Sequence, residues 1–402
     1  PIPRPYAWPH HTSVIKVLRR PVESAIFTAV AMIFATISRE RSCWGNLRWL
    51  DVRFSMSAPE LKCDLNATFW SDYRRVTLKE VRYMTATQDV SMPAGGESDD
   101  IELVPLDSLT GEHTGRWTFL IVDGAAFMMQ AMHPVIAEIT GRYSAAFHGD
   151  PGGRAIRSVD SVLRWTYGGT EAVAEGNRVR ALHQPITMKS AESGKQISAL
   201  NPEAYQWVIA TGYIVNAEGG GKLLIGRDFT DAEKDELLRD NRRLARLLHV
   251  PMNGYPSTRA EMSEYYEAMI DKLEGTPQAL QLIDEMQTGN VELPPSVPKL
   301  LHPLVRRALR PALRFNYLSV VGLLDPRLRA KLGVTWSDAE ERQLQRIYAV
   351  IRAAYRILPD RLTYFPLAYH ARKHHECLEK MKQRQQKSFA YNLSERPAAR
   401  GL

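Results

Sequence analysis

The sequence predicts an all-α protein, and three observations support this fold class. From about residue 105 onward, apolar residues recur at helical spacing in successive segments. Those segments begin at capping residues or end at glycine or proline, as helices do. No convincing run of alternating apolar and polar residues, the pattern of a strand, separates them. We therefore predict a helical domain over residues 105–385, preceded by a poorly patterned extension (1–104) and followed by a disordered tail (386–402).

The N-terminal extension contains one uncharged stretch, residues 24–38, which follows Lys16, Arg19 and Arg20. A membrane span needs about 20 apolar residues, so this stretch suits a signal sequence or a short anchor better than a span. A soluble or artefactual segment is the alternative that we favour. The chain starts without Met, so we expect a fragment, a processed form or an imperfect gene model. We expect a cytoplasmic or membrane-associated protein.

The helical domain opens with the strongly apolar segment "RWTFLIVDGAAFMMQAMHPVIAEITGRYS". Asp123 is its only charged residue between Arg116 and Glu138, so most of its surface should be buried. His133 ends the most apolar helix of this segment, just before Pro134. A core or capping role is the favoured interpretation of His133, and a role in a ligand pocket is the alternative.

The segments that follow each predict one helix. "DPGGRAIRSVDSVLRWTYGG" closes on two glycines, and "TEAVAEGNRVRALHQPI" ends near Pro185. "NPEAYQWVIATGYIVNA" begins with Asn201 as the N-cap and Pro202 at the first helical position. Two later helices should begin with capping boxes, in which a hydroxyl residue precedes a glutamate by three positions. These pairs are Thr230 with Glu233 and Ser337 with Glu340.

The cysteine content and the charge distribution argue against several classes of protein. The three cysteines form no C-x-x-C pair, so neither a disulfide framework nor a zinc knuckle is predicted. The net charge of +7 arises in residues 301–402, with 20 Lys/Arg against 8 Asp/Glu, because residues 1–300 hold 32 against 37. No zinc-finger, RRM or KH signature accompanies these charges, so we predict no nucleic-acid partner. The basic segment 302–317 predicts a solvated helix, with peripheral membrane contact as the alternative.

Common enzyme signatures are absent from the sequence: it has no Walker loop, no G-x-S-x-G and no H-E-x-x-H. "AEGGGK", residues 217–222, predicts a flexible turn rather than a phosphate loop. His113 lies in weakly patterned sequence and is expected to be exposed. His370 and His374 have a spacing that metals accept, but their basic surroundings favour a solvated helix face.

The segment "EGNRVRALHQPITMKS" gives the strongest indication of a functional site. Arg180 precedes His183 by one helical turn, so both side chains share a face. In the preceding predicted helix, Arg154 and Ser158 have the spacing i and i+4, with Arg157 between them. If the two helices pack together, buried guanidinium groups need an anion. Haem fits, because it offers iron to an imidazole and two propionates to arginines. On these residues alone, however, a structural histidine is the favoured interpretation of His183, and a haem ligand is the alternative.

Several short motifs occur here in an order that resembles a known family. They are "MMQAMHPVIAEI", "GGRAIRS", "RWTYGG", "RVRALH" and "GKQISALNPEAYQWVIAT". Together they resemble the catalytic domain shared by mpaB-type oxygenases and the rubber oxygenase called latex-clearing protein. The resemblance runs from about residue 116 to about residue 370. It implies a globin-like multi-helix bundle that encloses a pocket for haem b.

The resemblance also implies roles for individual residues. His183 matches the family's proximal iron ligand, and Arg180 matches its R-x-x-H arginine. Arg154, Arg157 and Ser158 match the R-x-x-K-T motif, with arginine in place of lysine and serine in place of threonine. The expected catalytic residues are Arg154, Arg157, Ser158 and Arg180. His183, Arg180, Arg154 and, as an alternative iron ligand, His133 are the expected cofactor-binding positions.

The implied function is that of a haem b oxygenase. It would use O2 as co-substrate on a hydrophobic, unsaturated small molecule or polymer, with isoprenoids as candidates. Two departures from the family pattern, Ser198 and Ile209, argue against assuming the same substrate. A non-catalytic helical protein that binds haem or a lipid is the alternative, and a haem-free helical scaffold is a third.

Overall fold

Helices form most of the structure, which confirms the all-α prediction. The computed structural model describes residues 101–144, 147, 151–291, 293 and 298–394, and all of these belong to one compact unit. The apolar stretch 24–38 and the rest of the expected extension up to residue 100 lie outside the described residues.

The helices of the first half are α1 (Leu109–His113), α2 (Phe119–Ala131), α3 (Pro134–Tyr143), α4 (Pro151–Tyr167), α5 (Glu171–His183), α6 (Pro202–Val215) and α7 (Gly221–Leu224). Those of the second half are α8 (Asp231–Leu247), α9 (Arg259–Lys272), α10 (Pro277–Thr288), α11 (His302–Leu323), α12 (Pro326–Lys331), α13 (Asp338–Ile357), α14 (Asp360–Thr363) and α15 (Pro366–Ser394). A π-helix, Asn216–Gly220, joins α6 to α7, and a 3-10 turn, Lys299–Leu301, precedes α11.

The apolar segment divides at the predicted break. α2 ends at Ala131, and α3 begins at Pro134 after a bend of 101°. Proline has no N–H to donate and its ring excludes the preceding turn, so a new helix starts there. After the bend the two helices differ in their main neighbours: α2 packs chiefly against α6 and α11, and both α2 and α3 contact α10.

The core lies where α2 packs against α6 and α11. Trp207 of α6 is fully buried, and its indole N–H donates to the carbonyl of Met129 on α2 at 3.1 Å. Met128 and Met129 are also buried, in agreement with the prediction for this helix. Burying a large apolar side chain stabilises a fold by about 1.5–3 kcal/mol, so α2 and α6 form the rigid centre around which the other helices are arranged.

The predicted helix starts are confirmed. The side chain of Asn201 accepts from the amide of Ala204 at 3.0 Å, and Pro202 occupies the first turn of α6. Both capping boxes are complete, at Thr230 with Glu233 and at Ser337 with Glu340. These caps satisfy amide groups that the helix itself leaves without acceptors.

A short hairpin was missing from the prediction. β1 (Thr187–Lys189) and β2 (Gln196–Ser198) pair antiparallel. Each strand has three residues, too few to display an alternating pattern in the sequence. Met188 and Ile197, directly opposite each other, are buried and pack with Ile139 of α3. The hairpin therefore covers one side of α3.

The turn predicted for "AEGGGK" is wrong, because residues 217–222 are helical and its three glycines are buried. A Cβ on Gly219 would lie 2.6 Å from Leu323, and one on Gly220 would lie 2.6 Å from Nε2 of His113. The glycines are thus required for close packing rather than for flexibility. The expected exposure of His113 is wrong for the same reason: it is 2% exposed.

The C-terminal helix is longer than expected. α15 continues to Ser394, so it includes residues 386–394, which we predicted as part of the tail, while 395–402 lie outside the described residues. Within the described part of the chain, no single helix has the length and apolar character of a membrane span. The bent pair α2 and α3 reaches those limits only when both helices are counted together.

Candidate functional site

Helices α4 and α5 form an antiparallel pair joined by a tight glycine turn. Gly169 in this turn has a φ of +57°, which glycine adopts without strain. Glu175 on α5 is 3% exposed, and it accepts hydrogen bonds from Ser161 (2.6 Å), Arg164 (3.2 Å) and Arg178 (2.6 and 2.8 Å). Its bonds with Arg178 are the main reason that the pKa of Glu175 is lowered. This buried carboxylate fastens α4 to α5.

The contact between Ser161 and Glu175 sets which residues of the two helices lie side by side. Arg154 precedes Ser161 by seven residues, and His183 follows Glu175 by eight. With a rise of about 1.5 Å per residue, both lie roughly 11 Å beyond the contact, at the same end of the pair. The structure therefore brings the two motifs predicted from the sequence to one end of neighbouring helices.

His183 has its ring oriented by its own helix. Nδ1 lies 2.7 Å from the carbonyl oxygen of Val179. Because a carbonyl only accepts, Nδ1 carries the proton, and Nε2 is left with a lone pair. Among the described residues, no hydrogen-bond partner of Nε2 is found. Metal-binding histidines usually have this arrangement, with one nitrogen donating to a carbonyl and the other free for the metal.

Arg154 and Ser158 contact each other on α4. A guanidinium nitrogen of Arg154 contacts the Ser158 hydroxyl, which in turn donates to the carbonyl of Arg154 at 3.0 Å. Burial, and then the charge of Arg157, lowers the pKa of Arg154. The charge of Arg157 thus disfavours the charged form of Arg154, which contacts a neutral hydroxyl. An anion bound beside Arg154 would favour that charged form.

Arg180 is exposed, and it reaches the segment after α8, where its guanidinium donates to the carbonyl of His249 at 3.3 Å. His249 has a φ of +56°, the only positive value of a non-glycine residue in the described ranges. Its Nε2 lies 2.6 Å from Oδ1 of Asn177 on α5. Burial, followed by the charge of Arg180, lowers the pKa of His249. Strained backbone of this kind is often found at binding sites.

Tyr205 supplies an aromatic neighbour to His183. Their ring centres are 6.4 Å apart, and the Tyr205 hydroxyl donates to the carbonyl of Leu248 at 2.7 Å. Sequence reasoning did not select Tyr205, although the predicted start of α6 at Pro202 already placed it in the first turn. It did not select His249 either, and for His249 no sequence pattern gives a signal, because the contact joins residues far apart in the chain.

The close approach of α5 to α8 depends on Gly176. A Cβ at this position would overlap the carbonyl oxygen of Leu247, the last residue of α8. Any other residue would force the two helices apart and move His249 away from Arg180. Gly176 therefore sets the spacing between the helix that carries His183 and the segment that contacts it.

His133 lies at the break between α2 and α3, with Glu203 as its ion-pair neighbour at 3.7 Å. It is 3% exposed, and within the described ranges neither of its ring nitrogens has a hydrogen-bond partner. Burial lowers its pKa in spite of the nearby carboxylate. His370 and His374 lie on the exposed side of α15, and the described residues contain no group of three or more His, Cys, Asp or Glu suited to a metal ion.

Comparisons with known proteins identify the family of the chain. Residues 112–353, more than half of the chain, match the family described as the ER-bound oxygenase mpaB/B′ and rubber oxygenase catalytic domain. The matched range contains α4, α5 and the residues around His183. No solved structure matches the chain.

Two relatives are uncharacterized proteins of Mycobacterium bovis and Mycobacterium tuberculosis. Each is 30% identical over 176 residues, which cover 44% of this chain and 64% of the relative. The chain thus spans less than two thirds of the length of these relatives, and neither has a described activity. The match over residues 112–353 shows that the chain belongs to the mpaB and rubber oxygenase catalytic-domain family.

Proposed function

We propose that this protein is a haem b-dependent oxygenase that uses O2 on a hydrophobic, unsaturated substrate. One observation carries the proposal: Nδ1 of His183 donates to the carbonyl of Val179, and Nε2 has no hydrogen-bond partner among the described residues. Membership of an oxygenase family supports the reaction class. The proposed fold around the cofactor is a globin-like bundle, in which α4 and α5 supply the polar residues and α2 and α6 the apolar wall.

The residues at this end of α4 and α5 fit haem. His183 would bind the iron through Nε2, and Arg154 and Arg180 would bind propionates, since neither has a carboxylate partner among the described residues. When bound, haem supplies an iron centre at which O2 can be activated. The orientation of the groups at the site and its electrostatics depend on the protein's own side chains.

The protein's own groups orient and polarise the site. The hydrogen bond from His183 to Val179 keeps one tautomer and one ring orientation, which makes Nε2 a better ligand. Arg157 stands where rubber-cleaving relatives have lysine, and a guanidinium remains charged, so it cannot act as a neutral ligand. The Ser158 hydroxyl can donate or accept a hydrogen bond, as threonine would. We propose that Arg154, Arg157, Ser158 and Arg180 set the electrostatics of the site.

An apolar substrate agrees with the character of α2. Phe127 lies on this most apolar of helices and is 39% exposed, and Gly212 on the neighbouring α6 has no atom within 4 Å of where a side chain would begin. Space beside two core helices suits an apolar molecule. We propose a hydrophobic small molecule or polymer, with isoprenoids as candidates, and the departures at Ser198 and Ile209 predict a substrate that differs from rubber.

The first test is an absorption spectrum of the purified protein after haem supplementation. We expect a Soret band for the wild type, and loss or a marked shift of that band for His183→Ala. His374→Ala, on the exposed side of α15, is the matched control and should leave the spectrum unchanged. An unchanged spectrum for His183→Ala would assign the iron to another residue, and His133→Ala would be measured next.

The second test separates an oxygenase from a non-catalytic haem protein. The haem-loaded protein is incubated with an unsaturated isoprenoid with and without O2, and the products are analysed by mass spectrometry. Oxygenated or cleaved products should appear only with O2. A haem protein that consumes neither O2 nor substrate would support the binding alternative, and a chain that binds no haem would support the haem-free scaffold.

A further inference from the structure

A continuous stretch around the start of α11 carries only positive charge. Residues 298–324 contain five Lys and Arg and no Asp or Glu. The positive residues are Lys299, Arg306, Arg307, Arg310 and Arg314. In a chain with 52 Lys/Arg and 45 Asp/Glu, a stretch of this length without any acid is a local departure that needs a physical explanation.

Three leucines at the beginning of the same stretch point into solvent. Leu300 is 89% exposed, Leu304 is 66% exposed and Leu301 is 45% exposed. They lie in the 3-10 turn and the first turn of α11. Single exposed leucines are common on protein surfaces, whereas three within five residues form an apolar patch, and such patches usually mark contact with a membrane or another protein.

The arginines beside the leucines differ in their pairing. Arg314, farther along α11, is paired with Glu340 at 2.9 Å, and Arg306 donates to the carbonyl of Val291 at 3.3 Å. Arg307 and Arg310 are exposed and have no acidic partner among the described residues. Two uncompensated charges therefore lie within two helical turns of the apolar patch.

A cleft lies beside these arginines, between the end of α10 and α11. One part, of about 410 Å³, is lined by Asn290, Pro303, Arg306, Arg307 and Arg310. The adjoining part, of about 630 Å³, shares Gly289 and Arg310 with it and is also lined by Glu340, whose charge is paired with Arg314. A cleft of this size with several guanidinium groups can accept a phosphate group, because guanidinium donors match phosphate oxygens in geometry and charge.

From these observations we propose that the surface formed by residues 298–310 docks the protein onto an anionic phospholipid bilayer. Leu300, Leu301 and Leu304 enter the boundary between headgroups and acyl chains, and Arg307 and Arg310 contact lipid phosphates. A nucleic acid would satisfy the arginines but not three exposed leucines. The inference does not depend on haem, although a membrane would also be a source of apolar substrate.

A second exposed apolar patch differs from the first in the charges beside it. Ile357 is 83% exposed and Leu362 is 54% exposed, close to the start of α14. This patch contains Asp360, whose carboxylate lies 3.6 Å from Lys373. Residues 356–362 contain Arg356 and Arg361 besides Asp360, a net charge of +1, whereas residues 298–310 carry +4. An anionic surface attracts the second patch more weakly, so this patch serves as an internal control.

The test is flotation of the full chain with vesicles of phosphatidylcholine alone and of phosphatidylcholine mixed with phosphatidylserine. We expect binding to the mixed vesicles, weaker at high salt because screening shortens the reach of the charges. An arginine near an anionic leaflet strengthens partitioning about fivefold, so the double variant Arg307→Gln with Arg310→Gln should bind about 30-fold more weakly. Leu300→Ser with Leu304→Ser should also reduce binding, at any salt concentration.

The control variant is Ile357→Ser with Leu362→Ser, which removes the second patch and should bind like the wild type. Circular dichroism checks that every variant is folded. The proposal is overturned if the folded wild type binds neither kind of vesicle, if it binds both kinds equally, or if the arginine and leucine variants float as well as the control. Binding to a nucleic acid that survives the leucine substitutions, without binding to vesicles, would also overturn it.

Discussion

At the scale of single residues, several polar atoms are buried without a hydrogen-bond partner among the described residues. Both ring nitrogens of His113 are buried without a hydrogen-bond partner, and so is Oδ1 of Asn216 in the π-helix. Burial lowers the pKa of His113 to about 4. Burial also raises the pKa of Asp123, on α2, to about 6. Burial thus disfavours the charged form of both groups.

His113 makes stability depend on pH in a predictable direction. Its folded pKa of about 4 lies below the ordinary value of 6.5, so the unfolded chain binds a proton more readily between these values. Protonation therefore favours unfolding as the pH falls from 6.5 to 4, by up to about 3 kcal/mol. His113→Gln has no such titrating group, so its free energy of unfolding relative to wild type should increase as the pH falls from 6.5 to 4. Urea unfolding at several pH values measures this difference, and a difference that is the same at every pH would contradict the prediction.

The ionisation of Asp123 changes stability with pH in the direction opposite to that of His113. Its folded pKa of about 6 lies above the ordinary value of 3.8, so its contribution weakens the fold as the pH rises from 3.8 to 6. As the pH rises from 3.8 to 6, the stability of Asp123→Asn relative to wild type should therefore increase, whereas that of His113→Gln should decrease. The two groups act in opposite directions, and carboxylates with a lowered pKa, such as Glu175, add their own pH dependence. Only the comparison of each variant with the wild type therefore isolates the contribution of His113 or Asp123.

At the scale of secondary-structure elements, glycines decide how closely helices approach. Gly220 in the π-helix has Nε2 of His113 within 2.6 Å of the place that a Cβ would occupy, whereas Gly212 in α6 has nothing within 4 Å. π-helices are rare and often occur at functional sites. Here the π-helix lets buried glycines face α1 and α11, and it joins α6 to α7 without a loop.

These two glycines predict opposite effects of one substitution. Gly220→Ala should destabilise the protein by about 1–3 kcal/mol, because the methyl group overlaps a buried ring. Gly212→Ala should stabilise it by about 0.5–1 kcal/mol, because alanine restricts the unfolded chain and meets no neighbour. Urea unfolding of both variants at neutral pH measures the effects. If both substitutions change stability in the same direction, close packing at Gly220 is not the explanation.

Sequence reasoning succeeded best for elements whose signals are local. The capping residues Asn201, Thr230 and Ser337 mark helix starts because a side chain and an amide three positions later interact within one turn. The spacing of Arg180 and His183 places them on one face for the same reason. The β-hairpin and the π-helix were missed, because three-residue strands and a glycine-rich segment resemble ordinary loops until their neighbours are known.

At the scale of the whole molecule, segments far apart in sequence meet beside α4. Leu163 and Tyr167 of α4 pack with Tyr364, Phe365 and Ala368 from the C-terminal region. The amide of Phe365 donates to the carbonyl of Gly115 at 2.8 Å, and the Tyr167 hydroxyl donates to Gly111 at 2.5 Å. The two ends of the described domain are thus held together by the helix that carries Arg154.

This arrangement predicts a long-range effect of a core substitution. Phe365→Ala should destabilise the whole domain by about 3–5 kcal/mol, because it leaves a cavity beneath α4 and α15. Leu367→Ala, two residues away and 42% exposed, should change stability by less than about 0.5 kcal/mol. Urea unfolding followed by circular dichroism measures both. Similar midpoints for the two variants would mean that the C-terminal helix is not part of the cooperative unit.

The sequence by itself determined the helical class, most helix starts, and the two motifs with Arg154 and His183, because periodicity, caps and one-turn spacing depend on neighbours in the chain. The tertiary structure alone decided what surrounds them. It brought Arg154 and His183 to the same end of a helix pair through Glu175, placed His249 against Arg180, and buried His113 against Gly220. These contacts join residues distant in sequence, and which of them form depends on how complete helices pack, which no local pattern encodes.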